Sequence, residues 1–345
     1  MTHPVTDQGL SHVCFKMSDA PEISAYHAAR LGAAFFPQNE SGFLLLEGQD
    51  RLAFLQRMTT NDVTRLSPTQ SVQTVLVNAA ARILDVLRLV YLSQDVLGLI
   101  TLPGHAANTR RFLKGRIFFM DKVALQDASL AYAQTDLEGP AAGQILHTLG
   151  CQDPPNAGEI LLFEAGDYSV RVIGRSGFAG VGYCLLHPVE GKEILWAALS
   201  AGGVRQLSAP EFETLRVEAG FPAAGHELTE EYTPLETNLE SAISWDKGCY
   251  TGQEVIARQT NYDKVTQKLV GLRLQASVTP GQRVWLQERP VGVITSYVDS
   301  PRFGPIALGM IKRPSYTPGT DVIIGGDGNG EGVSATVVEL PFTHQ

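Results

Sequence analysis

Ten consecutive residues, Trp245-Asp246-Lys247-Gly248-Cys249-Tyr250-Thr251-Gly252-Gln253-Glu254, bring together a thiol, an ammonium, an amide, carboxylate groups and aromatic rings. Gly248 and Gly252 are four apart with no period-2 or period-3.6 apolar pattern between them, which predicts a tight turn presenting side chains and bare amides. Val255-Ile256-Ala257-Arg258 then begins regular structure, so Gln253 and Glu254 fall where the loop hands over. A cysteine in such a turn can face a ligand, or it can be a small hydrophobe under the loop. Lys247, two residues before Cys249, would favour the thiolate if the two side chains converge, and the thiolate is the reactive form.

The string Lys247-Gly248-Cys249-Tyr250-Thr251-Gly252-Gln253-Glu254 resembles the KGCYxGQE signature of the YgfZ family of folate-binding proteins, which is similar in fold to the glycine-cleavage T-protein, GcvT. The resemblance implies an α+β, multi-lobed fold of GcvT type: two α+β lobes around a central folate pocket and a C-terminal antiparallel β-barrel. It implies a tetrahydrofolate-binding protein that supports assembly or repair of iron–sulfur enzymes and, in some relatives, tRNA modification through an iron–sulfur methylthiotransferase. Tetrahydrofolate or a derivative is the implied ligand, and iron–sulfur client or assembly proteins are the implied partners. The alternative is a folate-dependent aminomethyltransferase of the glycine-cleavage type, moving a methylene unit from a lipoyl carrier to tetrahydrofolate. An accessory folate-binding protein is placed ahead of that one-carbon transferase.

Other segments carry the resemblance further. Phe54-Leu55-Gln56-Arg57-Met58-Thr59-Thr60-Asn61-Asp62-Val63 is similar to the T-protein's FLxxxxTNDV segment. Asp85 falls on the first aspartate of its GGxxDD segment, implying the catalytic carboxylate beside the folate nitrogen. Ala81-Arg82 stands in place of the glycine pair, and Val86 in place of the second aspartate. A carboxylate inside an apolar strand costs free energy unless it is paired or used, so Asp85 calls for a partner or a function, unless it faces outward from an edge. Arg175 to Tyr183 resembles RTGYTGEDGF, placing Phe178 against the folate; Val181 stands where the family has an acidic residue. Arg216 to Leu228 resembles RxEAGxPxxGxE. One carboxylate can accept both adjacent N–H donors of a pterin, which implies Glu218 as the pterin holder; the alternative is a helix-end glutamate in a salt bridge. The resemblance further implies Cys249 as a reacting or partner-contacting group and Lys247 or Arg258 against the glutamate carboxylates. Asn61, Gly248, Tyr250, Gly252, Gln253 and Glu254 complete the expected folate contacts.

The elements that must position these groups divide the 345 residues into an N-terminal α+β lobe (1–126), a second α+β lobe (127–210), a segment returning to the central site (211–267) and a barrel (268–345). Periodicity predicts a helix around Ala20 to Leu31, a strand from Ser41 to Gly48, a helix over Arg51 to Met58, and a hairpin of Val72–Val77 with Arg82–Leu92. A helix or helix-loop over Ala106–Phe119 carries Arg110, Arg111, Lys114 and Arg116, which either receive an acidic tail or form a solvated face. Residues 127 to 166 read as loop-like breaks around a short helix. Six short β-rich runs after Lys268, punctuated by Gly and Pro, predict the barrel.

Composition bounds the rest. A chain of this length forms more than one core. With 44% hydrophobic and 18% charged residues it reads as an ordinary globular protein, and no apolar run approaches the roughly 20 residues that span a bilayer. The first seven residues lack the order of a secretory signal or transit peptide, which places the protein in a cytoplasm. Cys14, Cys151, Cys184 and Cys249 form no CxxC pair, against a metal site or a disulfide framework. A net charge of −9 opposes non-specific binding to nucleic acid.

Overall fold

The computed structural model describes residues 24–326 and 331–343. Cys14 and the start of the helix expected at Ala20 lie outside them. The remainder of that helix forms as α1 (Ala25–Leu31), capped by the Ser24 side chain on the amide of His27. It is followed by α2 (Arg51–Met58), α3 (Ala106–Lys114), α4 (Ala142–Thr148), α5 (Lys192–Ala201), α6 (Ala209–Ala219) and α7 (Gln253–Asn261).

Three sheets organise these helices. The first is antiparallel and runs in the order Val72–Val77, Ile83–Ser93, Val96–Ile100, Phe43–Glu47, Ala124–Asp127. It encloses a core with α2 and α3 around Leu44, Phe54, Leu87, Leu97 and Leu113. The second runs Arg205–Gln206, Ala34–Pro37, Tyr132–Glu138, Gly180–Pro188, Tyr168–Gly177, Ile160–Ala165, with its core at Phe35, Leu137, Val172, Leu185 and Leu199. The remaining faces of these two sheets meet through Phe43, Val90, Ile100, Ile160, Ile173, Cys184 and Leu186. The third sheet is a closed six-stranded barrel, all six strands coinciding with the six runs expected there.

One strand pairing crosses the expected boundary at residue 126, and one expectation is corrected. Ala34–Pro37 lies inside residues 1–126 but pairs with Tyr132–Glu138, so the second sheet draws a strand from the first segment. Residues 127–166 are more than loops around a helix: they hold the strands Tyr132–Glu138 and Ile160–Ala165. Gln134, Asp136 and Glu138 sit at alternate positions of the first of these and are buried, so inward polar residues mimic a solvent face. Helix α3 ends at Lys114, so the stretch to Phe119 takes the helix-loop form of the two expected.

Helix α6 ties the lobes to the barrel. Ser208 and Glu211 form a capping box at its start, and Gly220 ends it at φ +73, where an added Cβ would meet the Leu340 side chain at 2.7 Å. The buried Glu218 carboxylate accepts from Tyr26 Oη at 2.7 Å, from Ser300 Oγ at 2.5 Å and from the Arg30 guanidinium. Two residues earlier, Arg216 binds Glu213, Glu227 at 3.3 Å and Ser296 Oγ at 2.7 Å. Removing one partner of such a node leaves polar groups buried without acceptors. Glu218→Ala is therefore expected to destabilise the protein by roughly 2–4 kcal/mol, seen as a lower urea midpoint with the same slope.

Candidate functional site

The hairpin of Val72–Val77 and Ile83–Ser93 turns through Asn78 and Ala81, with Asn78 Oδ1 accepting from the amides of Ala80 and Arg82. Ala81 takes φ +57 there, a left-handed conformation uncommon outside glycine. Three residues into the second arm, Asp85 is fully buried. Its Oδ1 accepts from the Leu102 amide at 2.9 Å and its Oδ2 from Thr109 Oγ1 of α3. Desolvation pushes the carboxyl up to about 6, opposed by those two donors and by nearby His105. His105 in turn places Nδ1 3.1 Å from Leu84 O. Asp85 is thus neither an outward edge residue nor part of an ion pair among the described residues.

Asp85 stands in a wall between two cavities. One, of about 170 Å³, opens where the two sheets face each other; Val86, Arg88 and Leu102 line it from the first lobe, Gln134 and Asp136 from the second. The other, of about 650 Å³, is bounded by Leu84, His105, Thr109, Arg111, Phe112 and Arg116, with Leu228 and Glu230 opposite. The donors that hold the two Asp85 oxygens therefore belong to residues lining different cavities.

Behind the smaller cavity lies a charged cluster. Arg175 reaches Asp136 Oδ1 at 3.2 Å and also pairs with Glu138. Burial works against the Arg175 charge, yet the two carboxylates hold the guanidinium above its ordinary value. Burial pushes Glu138 up against the pull of Arg175. Desolvation lowers Arg88 and pushes the Cys184 thiol up to about 12, so that thiol stays protonated. Glu138 Oε2 accepts from the Phe178 amide at 2.8 Å, and the Phe178 ring packs between Phe212 and Phe221 with Arg175 across it.

The structure gathers only part of the expected site. Asp85 lines neither cavity itself, though its chain neighbours Leu84 and Val86 line one each. Phe178 is linked to the smaller one through Arg175 and Glu138, and to Glu218 through Arg30, which also faces Phe178 O at 3.5 Å. Glu218 lines neither cavity; its oxygens are taken up between α1, α6 and the barrel, the salt-bridge alternative. The segment 245–254 docks on the outer side of the first lobe. Lys247 Nζ donates to Thr59 O at 2.8 Å and Asn61 O at 2.6 Å, so its ammonium is spent on backbone rather than on the thiol, and desolvation pulls it down to about 8. Asn61 is occupied with Gln73 O and Thr74 Oγ1. Tyr250 packs with Ala81, Leu235, Ile243 and Ile256, and burial pushes its hydroxyl up to about 12. Gly252, at φ +82, brings its backbone where a Cβ would lie 2.8 Å from Asn78 O. Gln253 and Glu254 open α7, which carries Arg258; Gly248, Cys249, Glu254 and Arg258 are exposed. Cys249 lines neither cavity.

Sequence reasoning missed Thr109, Arg88, Gln134 and Asp136. Arg88 lies three residues beyond Asp85 on one strand, a spacing visible once the hairpin is recognised. Asp136 shares no sequence signal with either.

A family model described as the GCVT N-terminal domain matches residues 16–247, and one described as the glycine cleavage T-protein C-terminal barrel domain matches residues 267–343. A chloroplastic protein of Arabidopsis thaliana with a provisional transferase name is 32% identical over 306 residues, 87% of this chain and 69% of that protein. An aminomethyltransferase of Geobacillus kaustophilus is 30% identical over 331 residues, 92% and 89% of the two chains. The crystal structure of glycine cleavage system aminomethyltransferase T from Bartonella henselae matches with a TM-score of 0.81 at 22% identity, covering 93% of this chain and 89% of that one, and shows the α+β fold with its barrel to be shared.

A carboxyl raised in the folded state binds more protons there than when unfolded, so stability falls as pH rises from about 4 to about 6 and levels off above. Asp85→Asn removes that penalty. The stability of the variant relative to wild type is expected to increase from pH 4 to pH 8 by on the order of 1–3 kcal/mol, measured by urea unfolding at both pH values.

Proposed function

The chain belongs to the glycine-cleavage T-protein family, and from that membership we propose that it is a folate-dependent one-carbon transferase of the aminomethyltransferase type, with tetrahydrofolate as acceptor. One observation supports this reading above the others: a buried carboxylate, Asp85, built into the wall between two cavities. Two substrates approaching one group need such an arrangement, and holding both in place lowers the entropic part of the barrier. With its pKa raised to about 6, Asp85 is within reach of either protonation state near neutral pH and can order a nucleophilic nitrogen or take its proton. The polar lining of the smaller cavity suits the ring end of a folate. Arg111 and Arg116 give the larger cavity the cationic character that acidic groups require.

Ala81 departs from the family's glycine yet keeps a left-handed φ at the turn, so the hairpin that presents Asp85 retains its shape. The iron–sulfur reading rests on the KGCYTGQE resemblance, and the relatives compared above bear transferase names instead. We keep the cytoplasmic placement as a reading of residues 1–7; among the described residues no helix is long and apolar enough to cross a membrane.

Purified protein incubated with aminomethylated lipoyl carrier and tetrahydrofolate is expected to turn over, and Asp85→Asn to slow it by about 10²–10⁴-fold. A wild-type protein that binds tetrahydrofolate but consumes no carrier overturns the transferase reading. Cys249→Ser is expected to keep its turnover; loss of turnover, or failure to restore iron–sulfur enzyme activity in a deletion strain, returns the thiol to the centre.

A further inference from the structure

The loop after α3 ends in an apolar tip. Phe118 O accepts from the Asp121 amide at 3.0 Å, and Asp121 Oδ2 accepts from the Phe118 amide at 2.7 Å, which closes a tight turn with Phe119 and Met120 as its two central residues. Such positions ordinarily hold Gly, Pro, Asn, Asp or Ser. Here Phe118, Phe119 and Met120 are 64%, 98% and 70% exposed. They line neither cavity and stand outside the core of their lobe. Consecutive large apolar side chains turned to solvent mark a surface that something covers.

The turn is braced, and the acidic groups beside it are taken up in bracing it. Asp121 also pairs with Arg57, whose guanidinium lies 5.4 Å from the Phe118 ring centroid. Asp50 Oδ2 accepts from the Lys122 amide at 2.9 Å, and Lys122 O lies so close to Gly48 that a Cβ there has no room. The cations are left free of such duty. Lys114, Arg116 and Lys122 are exposed and, among the described residues, bond to no carboxylate: Arg116 donates to Phe112 O at 3.1 Å and Lys122 Nζ to Gln49 Oε1 at 3.5 Å. Residues 106–123 carry five Lys or Arg against Asp121 alone, in a chain whose net charge is −9.

We propose that this tip docks the protein on an anionic lipid surface, Phe119 and Met120 entering the boundary between headgroups and acyl chains while Lys114, Arg116 and Lys122 meet the charged headgroups. Apolar burial and the attraction of flanking cations to anionic lipid are the two contributions that hold a peripheral protein at a membrane. A fluid interface receives a turn of this kind without a matching pocket, and its two central side chains offer no hydrogen-bonding group for a protein or nucleic-acid partner to read. The chain as a whole is repelled by an anionic surface, so attachment is confined to this patch. Attachment of this kind does not depend on what the cavities bind.

Co-sedimentation of the full-length protein with lipid vesicles tests this. Wild type is expected to bind vesicles of equimolar phosphatidylcholine and phosphatidylserine at least about tenfold more tightly than vesicles of phosphatidylcholine alone, and to be released as added salt screens the lysines. Lys114→Gln combined with Lys122→Gln is expected to weaken binding about tenfold to thirtyfold, and Phe119→Ser combined with Met120→Ser by about tenfold or more. Equal binding of wild type to the two kinds of vesicle overturns the anionic-lipid assignment; binding to neither overturns it too and leaves the tip to an acidic protein partner. Wild-type affinity in the Phe119→Ser, Met120→Ser variant overturns insertion and reduces the patch to non-specific attraction. Phe119→Trp reads insertion without loss of the apolar tip: its emission gains a blue shift on vesicle addition if the turn enters lipid, and an unchanged spectrum overturns the proposal.

Discussion

Two antiparallel sheets press their faces together through Phe43, Val90, Ile100, Ile160, Ile173 and Leu186, and every charged group caught near that contact must find its partner inside the protein. Desolvation of an ion is expensive, so a charge buried there is favoured when a partner or hydrogen bonds compensate it. The Arg175 guanidinium answers this constraint by spanning Asp136 and Glu138. Its position also fixes the glycine-rich turn after Tyr168–Gly177, because Glu138 holds the Phe178 amide. What reads locally as an aromatic set for stacking is therefore also the far end of a salt-bridge cluster that links two strands of one sheet across the strand between them.

Asp85 obeys the same constraint by a different route. It has no cationic side chain bonded to it, only an amide and a hydroxyl, and its carboxyl responds by rising to about 6. A salt bridge in that place would have pinned the carboxylate in its charged form and made it poor at exchanging a proton. Two neutral donors keep its position while leaving its protonation adjustable. The stability cost is set by burial, and the fold absorbs it in the lobe whose core is otherwise continuous from Leu44 to Leu113.

The parts legible in the sequence were those where a local rule acts alone. The barrel strands are short apolar runs between Gly and Pro, and all six stand where the pattern put them. The hairpin bearing Asp85 and the helix α2 were visible for the same reason. The strand Tyr132–Glu138 was not, since Gln134, Asp136 and Glu138 alternate as a solvent-facing edge would, and only the arrival of a second sheet buries them. Ala34–Pro37 is four residues long and owes its pairing to a strand about a hundred positions away. Local strings also leave surroundings unread: Glu218 has the chemistry to hold a ring, but its neighbours Tyr26, Arg30 and Ser300 come from α1 and the barrel.

The segment 245–254 shows how a specific string can be demanded by packing. Gly252 must lack a side chain because the hairpin turn at Asn78 lies against it, Tyr250 must fill the space beside Ala81, and Lys247 must reach two carbonyls at the end of α2. The first two requirements concern the same turn, the one that presents Asp85. The loop thus acts on Asp85 from outside, by clamping the hairpin whose inner arm carries it, and Thr251 extends the clamp through its amide to Arg57 O. A side chain in this loop can matter to activity while touching nothing that reacts. Cys249, exposed at its crest, is, like Gly248 beside it, a member of the string that this packing does not require.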